Sequence, residues 1–163
     1  MADSPRTAGG RLDDTAGRLE SVAMQAIQDV WTRGNLALAD AIYTPSFVNH
    51  DPNQPEVPPG PAGVKQTIAM WRSIFPDLAL MPDEIFAAPG DRVVVRFTAS
   101  GTHQGQFRTI APTHRKIYAE GMVLFRFDAH AHITEAWTAW DALGMMSQMG
   151  ARMEDATLVR MRQ

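Results

Sequence analysis

The sequence predicts a single α+β domain in which helices come first and an antiparallel sheet follows. Apolar residues recur at three- and four-residue spacings up to residue 75, which indicates amphipathic helices. From residue 78 to residue 141, apolar and polar residues alternate, which indicates strands. A length of 163 residues fits one domain, and 45% hydrophobic residues are enough for a packed core.

We place the folded domain at residues 13–150, between two tails. Residues 1–12 are rich in Ser, Pro, Thr, Gly and charge, a composition typical of disorder. Residues 151–163 form a C-terminal tail that the pattern leaves open between helix and frayed chain. No apolar run is long enough for a membrane span and no signal peptide is evident, so we expect a soluble, cytoplasmic protein without a membrane partner.

Charge and cysteine content exclude several classes of function. The formal net charge is −3 and the Lys and Arg residues are scattered, so we expect no nucleic-acid partner. The chain has no cysteine, which excludes disulfides, thiolate catalysis and cysteine-ligated metals. No phosphate-binding glycine loop or serine nucleophile motif occurs. Any chemistry must therefore come from acid/base side chains in a shaped pocket.

The first two helices are bounded by capping and breaking residues. The first begins at about Asp14 and ends at Gly34, because a glycine readily ends a helix. Its apolar stripe consists of Leu19, Val22, Ala23, Ala26, Ile27, Val30 and Trp31. Asn35 is placed to cap a short second helix, which Pro45 closes before a brief extended piece at residues 47–48.

A proline-rich loop, a third helix and four strands follow. The loop covers residues 52–60, and the helix runs over residues 61–74 until Pro76 stops it. Pro82 places the first strand at an edge or a bulge of the sheet. A closing helix is predicted at residues 142–149. The strands are predicted at residues 78–88, 92–102, 116–127 and 132–141.

Asp141 is the candidate general acid/base. It follows Trp140 and precedes an apolar helix, and strand alternation would place it on the face of Ile133 and Ala139. A carboxylate in such surroundings loses hydration, which suits it to take a proton from carbon next to a carbonyl and return it to oxygen. An alternative stays open, since Asp is also among the best N-caps and the closing helix begins at Ala142.

Two histidines are candidate partners of that carboxylate. His103 follows the apolar face of the second strand and would polarise a carbonyl oxygen, unless the strand has ended and it lies on an exposed loop. His50 would line the mouth of a cavity, with Asn49 or Asp51 orienting it. An Asn-His-Asp sequence before a loop is also ordinary turn chemistry.

Aromatic and methionine side chains are candidate walls for a flat apolar ligand, although most of them would equally fit an ordinary core. His130 and His132 sit on one predicted turn without a third ligand in view, so we predict no metal site. The substrate-binding candidates besides Asn49 are Trp71, Phe75, Phe107, Tyr118, Met122, Trp137 and Trp140.

Four parts of the sequence resemble the SnoaL-like polyketide (ester) cyclases, in order and at family-like spacings over about residues 18–150. The resemblance is carried by FVNHD (47–51) followed by GPAGV (60–64), by WRSIFPDL (71–78), by GDRVVVR (90–96) leading to GTHQG (101–105), and by ITEAWTAWDALGMMSQMG (133–150). The turn at residues 128–132 and His114 depart from the family pattern, both on the predicted outside of the sheet.

This resemblance implies a cone-shaped barrel of the nuclear-transport-factor-2-like class, with a deep apolar cavity and frequent oligomers. Members of the family close a ring of aromatic polyketide methyl esters by intramolecular aldol reaction without a metal or cofactor. The aspartate matching Asp141 is the acid/base there, and the residue matching His103 borders the cavity.

We therefore predict a cofactor-free cyclase that performs acid/base chemistry on a hydrophobic, polyketide-like carbonyl substrate. A hydratase, dehydratase or isomerase of a similar ligand is an alternative, because one fold hosts many chemistries. A non-catalytic protein that binds a hydrophobic metabolite is another alternative. An exposed sheet face in so small a barrel further predicts a homodimer or homotetramer.

Overall fold

The computed structural model describes residues 9–54 and 56–151, with side chains from residue 14 onwards. Two helices precede the first strand, a third helix follows it, and four strands and a last helix complete the described part of the chain. A π-helical segment, Ala26–Thr32, continues the first helix. The elements are α1 (Gly9–Gln25), α2 (Leu36–Ile42), β1 (Tyr43–His50), α3 (Pro61–Ile74), β2 (Ala79–Ala88), β3 (Arg92–Thr102), β4 (Lys116–Phe127), β5 (Ile133–Trp140) and α4 (Ala142–Gln148).

The N-terminal boundary differs from the prediction. Helix α1 begins at Gly9, so residues 9–12, predicted as part of a disordered tail, belong to the helix. The remaining residues of that tail, 1–8, lie outside the described part of the chain, as do residues 152–163 of the predicted C-terminal tail. No helix in the described part of the chain is long and apolar enough to cross a membrane.

The sheet has five strands in the order β1-β5-β4-β3-β2. The α+β class and the four later strands agree with the prediction, and these four strands pair antiparallel as expected. Strand β1 adds a fifth strand, which pairs with β5 in parallel. The piece predicted at residues 47–48 is an eight-residue strand that begins at Tyr43, and helix α2 ends before Pro45. A proline is tolerated there because β1 lies at the edge of the sheet.

The helices cover one face of the sheet, and the core lies between them. Val93, Val95 and Phe97 of β3 belong to one buried apolar cluster with Ile27 and Val30 of the π-helical segment. A second buried cluster joins α3, β4 and α4. Its members are Trp71, Ile74, Phe75, Ile117, Met145, Met146 and Met149.

The outer face of the sheet carries a row of side chains in register across all five strands, which we call the outer row. Each member lies opposite the next one along the hydrogen-bonded ladders. Phe86 and Trp137 in this row are at least one-third exposed. The outer row consists of Phe86, Val94, Leu124, Trp137 and His50.

Candidate active site

A cavity of about 610 Å³ lies between the helices and the inner face of the sheet. Its volume falls in the range of sites that hold drug-sized ligands, and such sites combine apolar walls with a few convergent polar groups. The aromatic walls are Trp31, Tyr43, Phe47, Trp71, Phe75, Phe97, Tyr118, Phe125 and Trp140. The polar side chains of the lining are Asn49, Asp51, Gln54, Glu56, Thr67, Ser100 and Thr138, together with the tyrosine hydroxyls and indole N–H groups.

Two polar pairs connect β5 to β1 and to Asp51, the residue that follows β1, at one wall of the cavity. The Thr138 hydroxyl donates a hydrogen bond to Asn49 Oδ1 over 3.0 Å. The indole Nε1–H of Trp140 donates to Asp51 Oδ2 over 3.1 Å. The pairs follow one another because alternate residues of a strand face the same side. The result is an amide and a carboxylate held side by side on the cavity wall.

The Asp51 carboxylate is held at both of its oxygens. Besides the bond from Trp140, Oδ1 accepts a hydrogen bond of 2.8 Å from the backbone N–H of Asn53. This bond between an aspartate and the N–H two residues later forms an Asx turn, which fixes the side chain against its own backbone. Asp51 was predicted only to orient His50, so the carboxylate of the cavity wall was missed. The period-two sequence of Phe47, Asn49 and Asp51 is the signal that could have revealed it.

Trp140 belongs to an aromatic cluster that closes one side of the cavity. Its ring meets that of Trp71 edge-on, with centroids 5.6 Å apart. Trp71 is also stacked near Phe75, at 6.2 Å, and near Phe107, at 5.9 Å. Opposite Trp140 on β4 stands Gly121, where an added Cβ would lie 2.9 Å from Trp140 Cβ. Aromatic packing and this close approach together fix the indole that binds Asp51.

Tyr43 is a buried phenol in the same lining. Burial raises its pKa far above the ordinary value, and the hydrogen bond from Trp31 only partly offsets that effect. The hydroxyl therefore stays protonated at working pH and is available as a donor.

Five of the predicted substrate-binding residues line the cavity and three do not. Met122 and Trp137 point to the outer face, because their neighbours in β4 and β5 point inward. Phe107 packs on Trp71 without lining the cavity. The five that line it are Asn49, Trp71, Phe75, Tyr118 and Trp140.

Asp141 lies outside the cavity lining, at the start of α4. Its Oδ1 accepts a hydrogen bond of 2.7 Å from Gly144 N, so this exposed carboxylate is the N-cap that the sequence left as an alternative. The sequence-based prediction placed Asp141 on the same face of the strand as Ile133 by counting every second residue. A register irregularity between β4 and β5 near that end makes Ile133 and Ala136 both buried, and the inward positions beyond it are Thr138 and Trp140. Asp141 comes one residue after the inward-facing Trp140, so it does not share the inward face.

His103 is fully buried but does not line the cavity. Its Nδ1 accepts a hydrogen bond of 3.2 Å from Thr113 N and lies 3.0 Å from the Thr113 hydroxyl. Its Nε2 is buried without a hydrogen-bond partner among the described residues. Desolvation lowers the pKa of His103, and the backbone of Gly105 works against that shift. A neutral imidazole thus packs behind Phe75, whose ring centroid is 5.7 Å away.

His50 is in the outer row and not at the cavity mouth. Its ring stacks on Trp137 with centroids 4.8 Å apart, and its Nε2 lies 3.0 Å from Glu135 Oε2. Glu135 also accepts from Arg126, which in turn lies over the Trp137 ring at 5.0 Å. The hydrogen bond from His50 and the charge of Arg126 hold the pKa of Glu135 below its usual range. No set of three His, Asp or Glu side chains converges as a metal site within the described residues.

Helices on one face of a five-stranded mixed sheet, with an apolar cavity between them, define an α+β domain of the nuclear-transport-factor-2-like class. A family model for SnoaL-like polyketide cyclases matches residues 21–149. The chain belongs to the SnoaL-like polyketide cyclase family. No curated protein matches it.

Solved structures agree with this assignment. A candidate polyketide cyclase from Acidithiobacillus ferrooxidans is 28% identical, with a TM-score of 0.74 over 82% of this chain and 94% of that one. IdmH, a candidate polyketide cyclase from Streptomyces antibioticus, is 26% identical, with a TM-score of 0.70 over 82% and 99%. AclR, a candidate hydroxylase from Streptomyces galilaeus, has a TM-score of 0.71 over 83% and 97% at 22% identity, a likeness of fold alone.

Proposed function

We propose that this protein is a cofactor-independent cyclase that closes a ring in an apolar carbonyl substrate by intramolecular aldol addition. The observation that carries the proposal is the cavity of about 610 Å³, because its apolar walls surround a short polar stretch with a carboxylate. Aldol addition needs a base that removes a proton from a C–H bond. It also needs a hydrogen-bond donor that stabilises the oxygen on which negative charge develops. Both kinds of group stand on the same wall, in Asp51 and Asn49.

The family assignment and the shape of the cavity support a flat, fused-ring substrate. Trp71, Phe75 and Trp140 offer ring faces and edges on which an aromatic ligand stacks or packs. A polyketide-like ester with two carbonyl groups would present both the acidic carbon and the carbon that it attacks. The product has the composition of the substrate, since an aldol addition only rearranges bonds.

Ligand binding is tested first by the melting temperature in the presence of fused-ring aromatic methyl esters, steroids and small apolar ketones. A ligand that binds only the folded state at about a hundred times its Kd adds roughly 2.7 kcal/mol of stability. Compounds that bind are then incubated with the protein, and products are followed by mass spectrometry and absorbance. We expect a ring-closed product of unchanged mass from an ester of the panel.

A pair of matched variants locates the binding. Ala136 is buried and lines the cavity, whereas Ala139 is exposed on the outer side of the same strand. Ala136→Leu should remove the ligand-induced shift, because the added methyl groups occupy ligand space, and Ala139→Leu should preserve it. Binding without any chemical change of any bound ester would contradict the cyclase and support a carrier of hydrophobic metabolites.

A further inference from the structure

We propose that Asp51 is the general base of this cavity, that Trp140 positions it, and that Asn49 stabilises the oxyanion. The assignment rests on the function proposed above and adds to it the residues that move the proton. It differs from the sequence-based choice of Asp141.

The carboxylates near the cavity differ in position, burial and hydrogen bonds, and these differences favour Asp51 as the base. Asp51 and Glu56 are those that line it within residues 14–54 and 56–151. Glu56 is exposed on the proline-rich loop, whereas Asp51 is partly buried and held by Trp140 and by the backbone of Asn53. Asp141 is exposed and engaged with Gly144 N. A base must lie within hydrogen-bond reach of the proton that it removes, so Asp51 is the carboxylate in position.

The two hydrogen bonds leave Asp51 able to react. A carboxylate has about four lone-pair positions, and the bonds from Trp140 and Asn53 occupy one on each oxygen. Trp140 is also fixed by its contact with Trp71, so the carboxylate is oriented before a ligand arrives. An orientation set in advance removes part of the entropic cost of reaching the transition state.

Asn49 has its amide oriented by Thr138. Because Oδ1 accepts a hydrogen bond from the Thr138 hydroxyl, the Nδ2 group points its two hydrogens away from that bond and can donate them to a ligand. Asn49 and Asp51 are two residues apart on an extended chain, which places their Cα atoms about 7 Å apart. That spacing lets one carbonyl compound place its α-carbon at Asp51 and its oxygen at Asn49.

The step balances without a co-reactant. Asp51 takes the proton of the α-carbon, the C–H bond breaks, and its electron pair forms an enolate whose oxygen accepts from Asn49 Nδ2. The enolate carbon then attacks the second carbonyl carbon of the same molecule, forming a C–C bond and an alkoxide. The alkoxide takes the proton back from the Asp51 carboxylic acid. The carboxylate is thereby regenerated and no atom is lost.

Proton abstraction can be measured apart from ring closure. The probe is 2-tetralone, an apolar bicyclic ketone that contains no second carbonyl group. Exchange of its α-protons in D₂O is followed by ¹H NMR with wild type, Asp51→Asn and Asp141→Asn. Both variants make the same chemical change, and Asn keeps the N-cap of α4. We expect exchange to fall by about a hundredfold or more in Asp51→Asn, the scale of general-base catalysis, and to stay within about twofold in Asp141→Asn.

A second variant protects the test from a folding artefact. Asp51→Glu keeps a carboxylate and should retain part of the exchange that Asp51→Asn loses, at matched melting temperatures. If Asp51→Asn exchanges the α-protons of 2-tetralone at the wild-type rate, the assignment of Asp51 as the base is overturned. Loss in Asp141→Asn alone also overturns it, while leaving the proposed cyclase intact. Binding of 2-tetralone to the wild type without exchange above the solvent background overturns Asp51 as a base. Exchange by the wild type without ring closure of any ester overturns the cyclase and leaves Asp51 as the base.

Discussion

The indole of Trp140 donates a hydrogen bond of 3.1 Å to the carboxylate of Asp51 across the wall of the cavity. These residues are 89 positions apart in the chain, and they meet because β1 is paired in parallel with β5. The bond connects the edge strand, the centre of the aromatic cluster and the polar stretch of the cavity. It is therefore the contact on which the proposed chemistry depends most.

We predict that Trp140→Phe lowers kcat for α-proton exchange by about tenfold and leaves the Kd of 2-tetralone within about twofold. The phenyl ring preserves most of the apolar wall, while the hydrogen bond that orients the base is lost. A hydrogen bond to a charged group contributes about 1.5 kcal/mol or more, which corresponds to roughly tenfold in rate. Exchange kinetics and a binding titration measure the two quantities separately.

Trp71→Phe is the matched control, because Trp71 lines the same cavity and contacts Trp140 through its ring. We expect this variant to change the Kd more than kcat. Equal losses of kcat in both variants would mean that Trp140 acts only by packing and does not position Asp51.

Asp77 should make stability depend on pH in the acid range. The backbone N–H of Thr102, and then Lys116 and the Thr102 hydroxyl, hold the pKa of Asp77 well below its usual range. The unfolded chain thus binds a proton near pH 4 that the folded chain does not, so this contribution is present above that pH and is lost as the pH falls. We expect Asp77→Asn to cost about 1 kcal/mol at pH 7, discounted because the carboxylate is 45% exposed.

Denaturant unfolding at pH 7 and pH 3 checks this prediction. The difference in the free energy of unfolding between wild type and Asp77→Asn should shrink at pH 3. Asp40→Asn removes an exposed pair with Lys65 and should cost only a few tenths of a kcal/mol. A difference for Asp77→Asn that is the same at both pH values would refute the assignment of this effect to the carboxylate.

His103 should make the protein less stable below neutral pH. Because burial lowers its folded pKa, the unfolded chain takes up a proton below about pH 6.5 while the folded chain resists it. Stability from this source is present above that pH and is lost as the pH falls towards 5. The loss between pH 7 and pH 5 should be smaller in His103→Gln than in wild type. Identical pH slopes for the two proteins would contradict a buried, neutral His103.

The outer row predicts self-association of the sheet face. Two arginines beside the row are already paired within the chain, Arg126 with Glu135 at 2.7 Å and Arg96 with Asp83 at 3.1 Å. A second copy could therefore cover the row while these two charges stay paired. We expect sedimentation to report an oligomer for wild type and a lower mass for Leu124→Glu. Leu143→Glu, which alters an exposed residue of α4, should leave the mass unchanged. A monomeric wild type at high concentration would disprove the prediction.

Local signals predicted the central elements closely. Helix α3 has the bounds that Pro61 and Pro76 indicate, and β3 and β4 have the bounds that alternation indicates. These elements carry strong periodicity and end at proline, glycine or turn residues. The bulge expected at Pro82 is present between Pro82 and Glu84.

The features that the sequence did not reveal depend on distant pairing. Strand β1 contains Pro45 and only short apolar stretches, and its pairing with β5 joins segments some ninety residues apart. Strand alternation starting at Ile133 could not predict which face of the sheet Asp141 lies on, because the register irregularity between β4 and β5 interrupts that alternation. Asp51 was interpreted as part of a turn, since its partner Trp140 lies on a strand that only the fold brings near.

The indole N–H signals of the ¹⁵N-labelled protein, recorded during a titration with 2-tetralone, test the central claim most directly. Trp31, Trp71 and Trp140 line the cavity, whereas Trp137 lies on the outer face, so the four tryptophans contain their own control. Each signal is assigned from a Trp→Phe variant. We predict that the Trp140 signal shifts most, because its proton is bonded to the carboxylate that meets the ligand, and that Trp137 does not shift. A shift of Trp137 with the other three unchanged would place the ligand outside the cavity and contradict the proposed site.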